Sequence, residues 1–178
     1  TWQDRMLLIT IIAELLNNII PRYKRFYEMG QVELSVTPYG HPIMPLMLDM
    51  ASAKEAMPDV SMPEKMHYPD GRQRVDWHIE KGIEVFQQFF GFSPKGCWPS
   101  EGAVCTDTLQ MLDRHGFTWA ATGQSVLYNS LNASGMADNL DHHWLLKPYI
   151  LEGGDLHCFF RDDGLSDLIG FQYADWHA

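Results

Sequence analysis

The stretch GCWPSEGAV, residues 96–104, decides the fold and the function that this sequence predicts. It places one carboxylate, Glu101, among a tryptophan, a proline, a serine and two glycines. The spacing fits a capped helix start, with Ser100 as N-cap and Glu101 in the first turn of a helix near residues 102–115. A charged side chain on so rigid a turn also fits a chemical role. The stretch alone leaves both interpretations open.

Strands and helices alternate on both sides of this stretch. The apolar periodicity predicts helices at residues 2–19, 47–57, 76–90 and about 104–115, and strands at 31–37, 117–122 and 156–160. Residues 58–75 and 123–148 are predicted to be loops. Such alternation is typical of an α/β fold with a parallel sheet or barrel. The stripe of Ile79, Ile83, Phe86 and Phe90 is interpreted as core.

The composition is that of a globular domain and argues against a nucleic-acid-binding protein. The chain has 178 residues and is 46% hydrophobic, which is enough for one domain with a real core. Its net charge is −10 and its 13 basic residues are scattered, which argues against a nucleic-acid partner because phosphate binding needs clustered cations. The many aromatic side chains are compatible with sugar binding, and also with core filling.

The apolar run at residues 6–20 is predicted to be a buried helix and not a membrane span. It is short, and it contains Glu14, Asn17 and Asn18. The three cysteines form no CxxC pair, which favours a reducing compartment and a cytoplasmic location. Secretion is the alternative, because the chain is expected to lack its natural N-terminus, which could have carried a signal. The adjacent pair His142 and His143 has no third ligand at helical spacing, so no metal site is predicted.

Polar side chains follow two of the predicted strands. The loop at residues 38–46 contains three prolines and carries Tyr39 and His41 just after the strand at 31–37. In that strand, alternation places Glu33 on the polar face. Active-site loops of parallel α/β barrels lie at these strand ends. His41 is therefore a candidate site residue, with a structural loop histidine as the alternative.

The segment RDDGLSD, residues 161–167, follows the strand at 156–160. One interpretation is a capped turn, in which Ser166 or Asp163 caps a short helix and Arg161 pairs with an aspartate. The other is a second catalytic carboxylate whose environment Arg161 tunes. In a parallel barrel this carboxylate and Glu101 would both rise at the carboxyl rim. A glycosidase needs such a pair, one to attack the anomeric carbon and one to protonate the leaving oxygen.

Three segments together resemble consecutive motifs of glycoside hydrolase family 57. They are GQVELSVTPYGHPIMPL at residues 30–46, GCWPSEGAV at 96–104 and FFRDDGLSDLIGFQYADW at 159–176. The family includes α-amylases, amylopullulanases, 4-α-glucanotransferases and branching enzymes. The resemblance covers nearly the whole chain, which is treated as one domain at residues 1–178. It implies an α/β fold that is part of an incomplete (β/α)7 barrel, acting on α-glucans by a retaining mechanism with no metal or cofactor.

The resemblance also assigns roles residue by residue. Glu101 matches the family nucleophile. The acid/base aspartate falls on Asp162, with Asp163 as a close second. Positions matched to the substrate side are Glu33, His41 and Trp98, while Arg161 and Asp167 are expected to orient and tune the reacting groups.

The sequence departs from the family pattern at both ends. The family's first motif, which contains a histidine, is absent. The region that follows the motif matched by residues 159–176, the family's fourth, is absent too. The chain is therefore expected to be a fragment of the catalytic domain that is inactive or poorly folded by itself. Alternatives are a metal-dependent carbohydrate deacetylase, for which the available histidines are His41, His67, His78 and His142, and a non-catalytic glucan-binding domain. The sequence does not separate hydrolysis from transglycosylation, nor α-1,4 from α-1,6 preference.

Overall fold

The structure, a computed structural model, describes residues 1–176 apart from the side chain of Asn139. Its eight α-helices are α1 (Trp2–Asn17), α2 (Ile19–Glu28), α3 (Met44–Leu48), α4 (Ala53–Ala56), α5 (Gly71–Phe90), α6 (Thr106–Arg114), α7 (Gln124–Ala133) and α8 (Asp163–Asp167) within this part of the chain. The strands are β1 (Ser35–Val36), β2 (Gly96–Cys97), β3 (Trp119–Gly123), β4 (Tyr149–Ile150) and β5 (His157–Arg161). The α/β class predicted from the sequence is confirmed.

The strands form one sheet in the order β1-β2-β3-β5-β4. The first four strands of that order are parallel, and β3 and β5 share the longest ladder, from Trp119 opposite His157 to Gly123 opposite Arg161. The edge strand β4 runs antiparallel to β5. The sheet is therefore mixed: four strands are parallel, as the sequence predicted, and β4 adds an antiparallel edge.

Two strand and loop predictions need correction. The strand predicted at residues 31–37 is reduced to Ser35–Val36, because its neighbour β2 offers only Gly96 and Cys97 for pairing. Residues 123–148 are not all loop, since they contain α7 and two 3₁₀ turns. The α7 sequence is rich in serine and asparagine, which are poor helix formers, but burial of Leu127 and Leu131 stabilises the helix.

Several helix boundaries also differ from the prediction. The helix predicted at 47–57 begins at Met44, because Pro45 fits the first turn, and it is broken at Asp49. α5 begins at Gly71, five residues before the predicted start. α6 begins at Thr106, and Cys105 is its N-cap residue.

The core lies between the sheet and helices α3, α5 and α6. Eight of its members are at most 2% exposed, namely Met44, Val75, Ile79, Cys97, Met111, Leu112, Ala120 and Leu156. The apolar stripe of α5 contributes Ile79 and Phe86, so the interpretation of that stripe as core is confirmed. Helices on the sheet fix the positions of the four parallel strand ends.

Helix α1 has no buried residue, which contradicts the expectation of a buried helix. Its apolar side chains are exposed around the whole circumference, including Trp2, Leu7 and Leu16. The stretch Trp2–Glu28 is long and apolar enough to cross a membrane by length and composition. A helix covered by other protein segments meets the same two criteria.

Candidate active site

Four parallel strands bring their carboxyl ends to one edge of the sheet, which we call the carboxyl edge. The segments that leave the strands there carry most of the predicted site residues. They are His41 after β1, Trp98 and Glu101 after β2, and Arg161, Asp162 and Asp163 at the end of β5. β3 lies between β2 and β5, so its last residues touch both acidic segments.

Glu101 lies in a 3₁₀ turn, Ser100–Gly102, directly after β2. Its backbone is left-handed, with φ 54°, a region that few residues other than glycine adopt. Its side chain is 76% exposed, and Oε1 accepts a hydrogen bond from His41 Nε2 at 3.0 Å. His41 is left-handed as well, with φ 57°. Two unfavourable backbone conformations thus meet in one side-chain contact, a feature that clusters at functional sites.

The turn that carries Glu101 is fixed to both neighbouring strands. Thr122 of β3 is buried, and its Oγ1 donates a hydrogen bond to the carbonyl oxygen of Gly102 at 2.5 Å. On the other side, the N–H of Trp98 donates to the carbonyl of Val36 at 2.9 Å. The position of Glu101 is therefore set by β1 and β3 together.

Ser100 does not cap a helix, and that interpretation of the stretch was wrong. The helix after Glu101 begins only at Thr106, and Cys105 caps it through Thr108. The Ser100 side chain is 1% exposed, and its hydroxyl has no hydrogen-bond partner among the residues that the structure describes. Glu101 is accordingly placed by a tight turn and not by the first turn of a helix.

Asp162 and Asp163 make different contacts. Asp162 is the N-cap of α8, and its Oδ1 accepts a hydrogen bond from the N–H of Leu165 at 2.8 Å. Asp163 Oδ1 accepts from Arg161 Nε at 3.0 Å, and Ser125 Oγ lies 3.4 Å from its Oδ2. The capped turn is present, but its cap is Asp162, and not Ser166 or Asp163.

The segments after β2 and β5 meet through Arg161. Its guanidinium carbon lies 5.7 Å from the centre of the Trp98 ring, within the range of a cation–π contact. The same guanidinium pairs with Asp163. Trp98, Arg161 and Asp163 thus form a connected group across the carboxyl edge, while Asp167, the last residue of α8, is exposed.

Glu33 lies elsewhere. It precedes β1, and its Oε1 accepts a hydrogen bond from the indole nitrogen of Trp119 at 2.5 Å. Trp119 is the first residue of β3, so this contact is at the end where the strands begin. The short β1 also removes the alternation that placed Glu33 on a polar strand face. Its role toward substrate stays a prediction.

The sequence prediction missed the residues that support the site. Gln124 Oε1 accepts a hydrogen bond from the N–H of Asp163 at 3.3 Å, and Ser125 faces the carboxylate of the same residue. Both belong to α7, which was predicted to be a loop. Thr122 is the last residue of the strand predicted at 117–122 and lies one residue before the end of β3, and this position near a strand end was the available signal.

Within the part of the chain that the structure describes, neither the histidines nor the cysteines gather into a ligand group. In residues 1–176 no three side chains of the kinds His, Cys, Asp or Glu come close enough to hold a metal ion. Each of the three cysteines is free. Burial raises the pKa of Cys97 to about 12 and that of Cys158 to about 11, so both thiols stay protonated near neutral pH.

Solved structures share this fold at low sequence identity. The alpha-amylase AmyC from Thermotoga maritima superposes with a TM-score of 0.61 at 16% identity, over 92% of this chain and 26% of that one. The 4-alpha-glucanotransferase from Thermococcus litoralis gives 0.59 at 18% identity, over 93% and 22%. A GH57 branching enzyme from Thermococcus kodakaraensis gives 0.61 at 15% identity, over 90% and 29%. The chain thus spans between about a fifth and a third of the length of these proteins.

Among curated proteins no sequence matches this chain. One family model does match, and it extends over nearly every residue. That model describes glycosyl hydrolase family 57 and covers residues 5–178, including all three motifs that carried the resemblance. The chain belongs to glycosyl hydrolase family 57.

Proposed function

We propose that the protein containing this chain cleaves or transfers α-glucans with retention of anomeric configuration. The observation that carries the proposal is the carboxyl edge, where Glu101 and the pair Asp162 and Asp163 follow two strands separated only by β3. A retaining glycosidase uses two carboxylates that face one sugar, typically about 5–5.5 Å apart. The names of the solved structures, an amylase, a glucanotransferase and a branching enzyme, support α-glucans as the substrate class.

In this proposal Glu101 is the nucleophile. It is accessible, and His41 holds one carboxylate oxygen, so the other oxygen can face the anomeric carbon. Attack forms a covalent glycosyl–enzyme bond as the glycosidic bond breaks. Water or a second sugar hydroxyl then releases the glycosyl group, which distinguishes hydrolysis from transfer.

Asp162 is the better candidate for the acid/base. Arg161 and Ser125 face both oxygens of Asp163, whereas the cap bond of Asp162 uses only Oδ1. Oδ2 of Asp162 has no protein partner among the described residues. It can give a proton to the leaving oxygen and later take one from the incoming hydroxyl. Asp163 then orients Arg161.

The remaining residues bind substrate in this proposal. Trp98 offers a half-buried ring on which a pyranose can stack. Arg161, which lies over that ring, and the exposed Asp167 are proposed to bind hydroxyl groups. The sheet would form part of an incomplete (β/α)7 barrel, with β4 as its antiparallel addition. The three free thiols favour a reducing, cytoplasmic setting.

The test uses the complete natural protein and maltoheptaose as substrate. Glu101→Gln should abolish turnover and leave the circular dichroism spectrum unchanged, because the amide cannot attack the anomeric carbon. The matched control is Glu84→Gln, on an exposed face of α5, which should keep full activity. Normal turnover by Glu101→Gln would refute the assignment of the nucleophile.

Two further readouts define the reaction. Proton NMR of the first product should show the α-anomer, as retention requires, and the β-anomer would contradict the proposal. Products longer than seven glucose units would show transfer to a sugar acceptor, while only shorter products would show hydrolysis. Binding of maltoheptaose without any cleavage would favour a non-catalytic glucan-binding domain instead.

A further inference from the structure

We infer that His78, on helix α5, is a positioning residue for Glu101 and acts on it through His41. The inference rests on the proposed function, since it takes Glu101 as the nucleophile. Residues 37–41, which we call the β1 loop, connect the two. His78 lies outside every motif that carried the family resemblance.

His78 holds both peptide groups of Tyr39. The N–H of Tyr39 donates to the carbonyl oxygen of His78 at 2.9 Å. The side chain returns the contact, because His78 Nδ1 lies 2.5 Å from the carbonyl oxygen of Tyr39. A carbonyl oxygen can only accept, so Nδ1 carries the proton and donates it. One residue of α5 therefore clamps the middle of the β1 loop from two directions.

Helix α5 has a glycine, Gly82, where the backbone of the β1 loop crosses it. A Cβ on Gly82 would lie 3.2 Å from the nitrogen of Tyr39 and 3.4 Å from the carbonyl oxygen of Thr37. Gly40 also lies close, since a Cβ there would be 3.5 Å from His78 Cε1. The loop backbone thus rests directly on the helix, with little room to shift.

A single residue, Gly40, separates the clamped Tyr39 from His41. Gly40 has φ 71° and His41 has φ 57°, and the N–H of His41 donates to the carbonyl of Pro38 at 3.1 Å. This tight turn leaves His41 no independent freedom from Tyr39. Movement of Tyr39 is therefore passed to the imidazole that contacts Glu101.

His78 is not needed to hold α5 in place. The helix is anchored by the buried side chains of Val75, Ile79 and Phe86, whereas His78 is half-buried. Its ring also approaches the ring of Trp77 edge to face, with 4.9 Å between ring centres. Loss of the Nδ1 donor should then free the β1 loop and leave the helix folded.

The test compares His78→Leu with His78→Asn in the complete protein, assayed on maltoheptaose. Leucine removes the donor and favours helix, so a loss of helix propensity cannot explain its effect. Asparagine places an amide N–H near the position of Nδ1. We expect His78→Leu to lower kcat about tenfold or more with KM changed less than about twofold, because misplaced groups slow the reaction more than they weaken binding. His78→Asn should restore most of kcat.

His115→Leu is the matched control. His115 also hydrogen-bonds to α5, with Nε2 2.9 Å from Asp76 Oδ1, but it follows α6, away from the β1 loop. It should leave kcat within about twofold. An unchanged kcat in His78→Leu, or a loss confined to KM, would overturn the inference.

A double-mutant cycle tests whether His78 acts through His41. In the His41→Ala background His78→Leu should cost no further activity, whereas an equal loss in both backgrounds would overturn the inference. If His78→Leu does not fold, Gly82→Ala makes the same test, because its methyl group would displace the β1 loop while favouring helix. Activity retained by Glu101→Gln would refute the assignment of Glu101 as nucleophile, on which the inference rests, and this result does not depend on His78, so the two failures are distinguishable.

Discussion

Replacement of Thr122 by valine should loosen the turn that carries Glu101. The Thr122 hydroxyl is buried and donates to the carbonyl of Gly102 at 2.5 Å. Valine has nearly the same shape, but it leaves the carbonyl without this donor and places a methyl group against it. Since carbon–oxygen contacts need about 3.3 Å or more, the turn must move by roughly 0.8 Å. The neighbouring Glu101 should move with it.

The cost follows from the same geometry. Loss of the donor and the unpaired buried carbonyl should together lower the free energy of unfolding by about 1–3 kcal/mol. With a urea dependence of about 2 kcal/mol per molar, the midpoint of unfolding should fall by about 0.5–1.5 M. Urea titration followed by tryptophan fluorescence measures this shift, and turnover of maltoheptaose should fall in the same variant.

Thr118→Val provides the matched control. The Thr118 hydroxyl donates to the carbonyl of Lys95 at 3.2 Å, but it is exposed, so water can replace it. That variant should change the free energy of unfolding by less than about 0.5 kcal/mol. Equal midpoints for Thr122→Val and Thr118→Val would refute the reasoning, since burial of the hydrogen bond is what separates them.

Two other perturbations follow from burial. Gly96→Ala should lower the free energy of unfolding by about 1–3 kcal/mol or more, because a Cβ would lie 2.0 Å from the indole ring of Trp119. A melting temperature equal to that of the wild type would contradict this packing. At pH 8 iodoacetamide should modify the partly exposed Cys105. Cys97 and Cys158 should not react, because burial raises the pKa of each thiol and keeps it protonated. Peptide mass spectrometry that finds Cys97 alkylated in the folded protein would refute this prediction.

The fold was predictable where the spacing of apolar residues in the sequence matched the residues that are buried in the structure. The stripe of α5 predicted a core helix, and Ile79 and Phe86 are indeed buried. The prediction failed at α7, where polar composition indicated a loop and the packing of Leu127 and Leu131 decided otherwise. It failed also at β1, because the length of a strand depends on its neighbour, which local sequence does not describe.

The site was predictable in part, for a similar reason. Position after a strand brought His41 and Asp162 into consideration, and the rigid turn at residues 96–104 brought Glu101. The parallel sheet places all three at the carboxyl edge. Which of these side chains contact one another depends on the tertiary structure. Neither the contact between His41 and Glu101, sixty residues apart, nor the clamp of His78 on Tyr39 has a signature in local sequence.

The left-handed backbone at His41 and Glu101 lowers the stability of the folded chain. Glycine or asparagine would adopt this backbone conformation with less strain, and the strain costs the folded state about 1 kcal/mol or more at each residue. Selection for heat resistance alone should therefore replace both residues, most often by glycine or asparagine. If both residues serve turnover as proposed, a library selected for heat resistance and activity together should keep histidine and glutamate at these two positions.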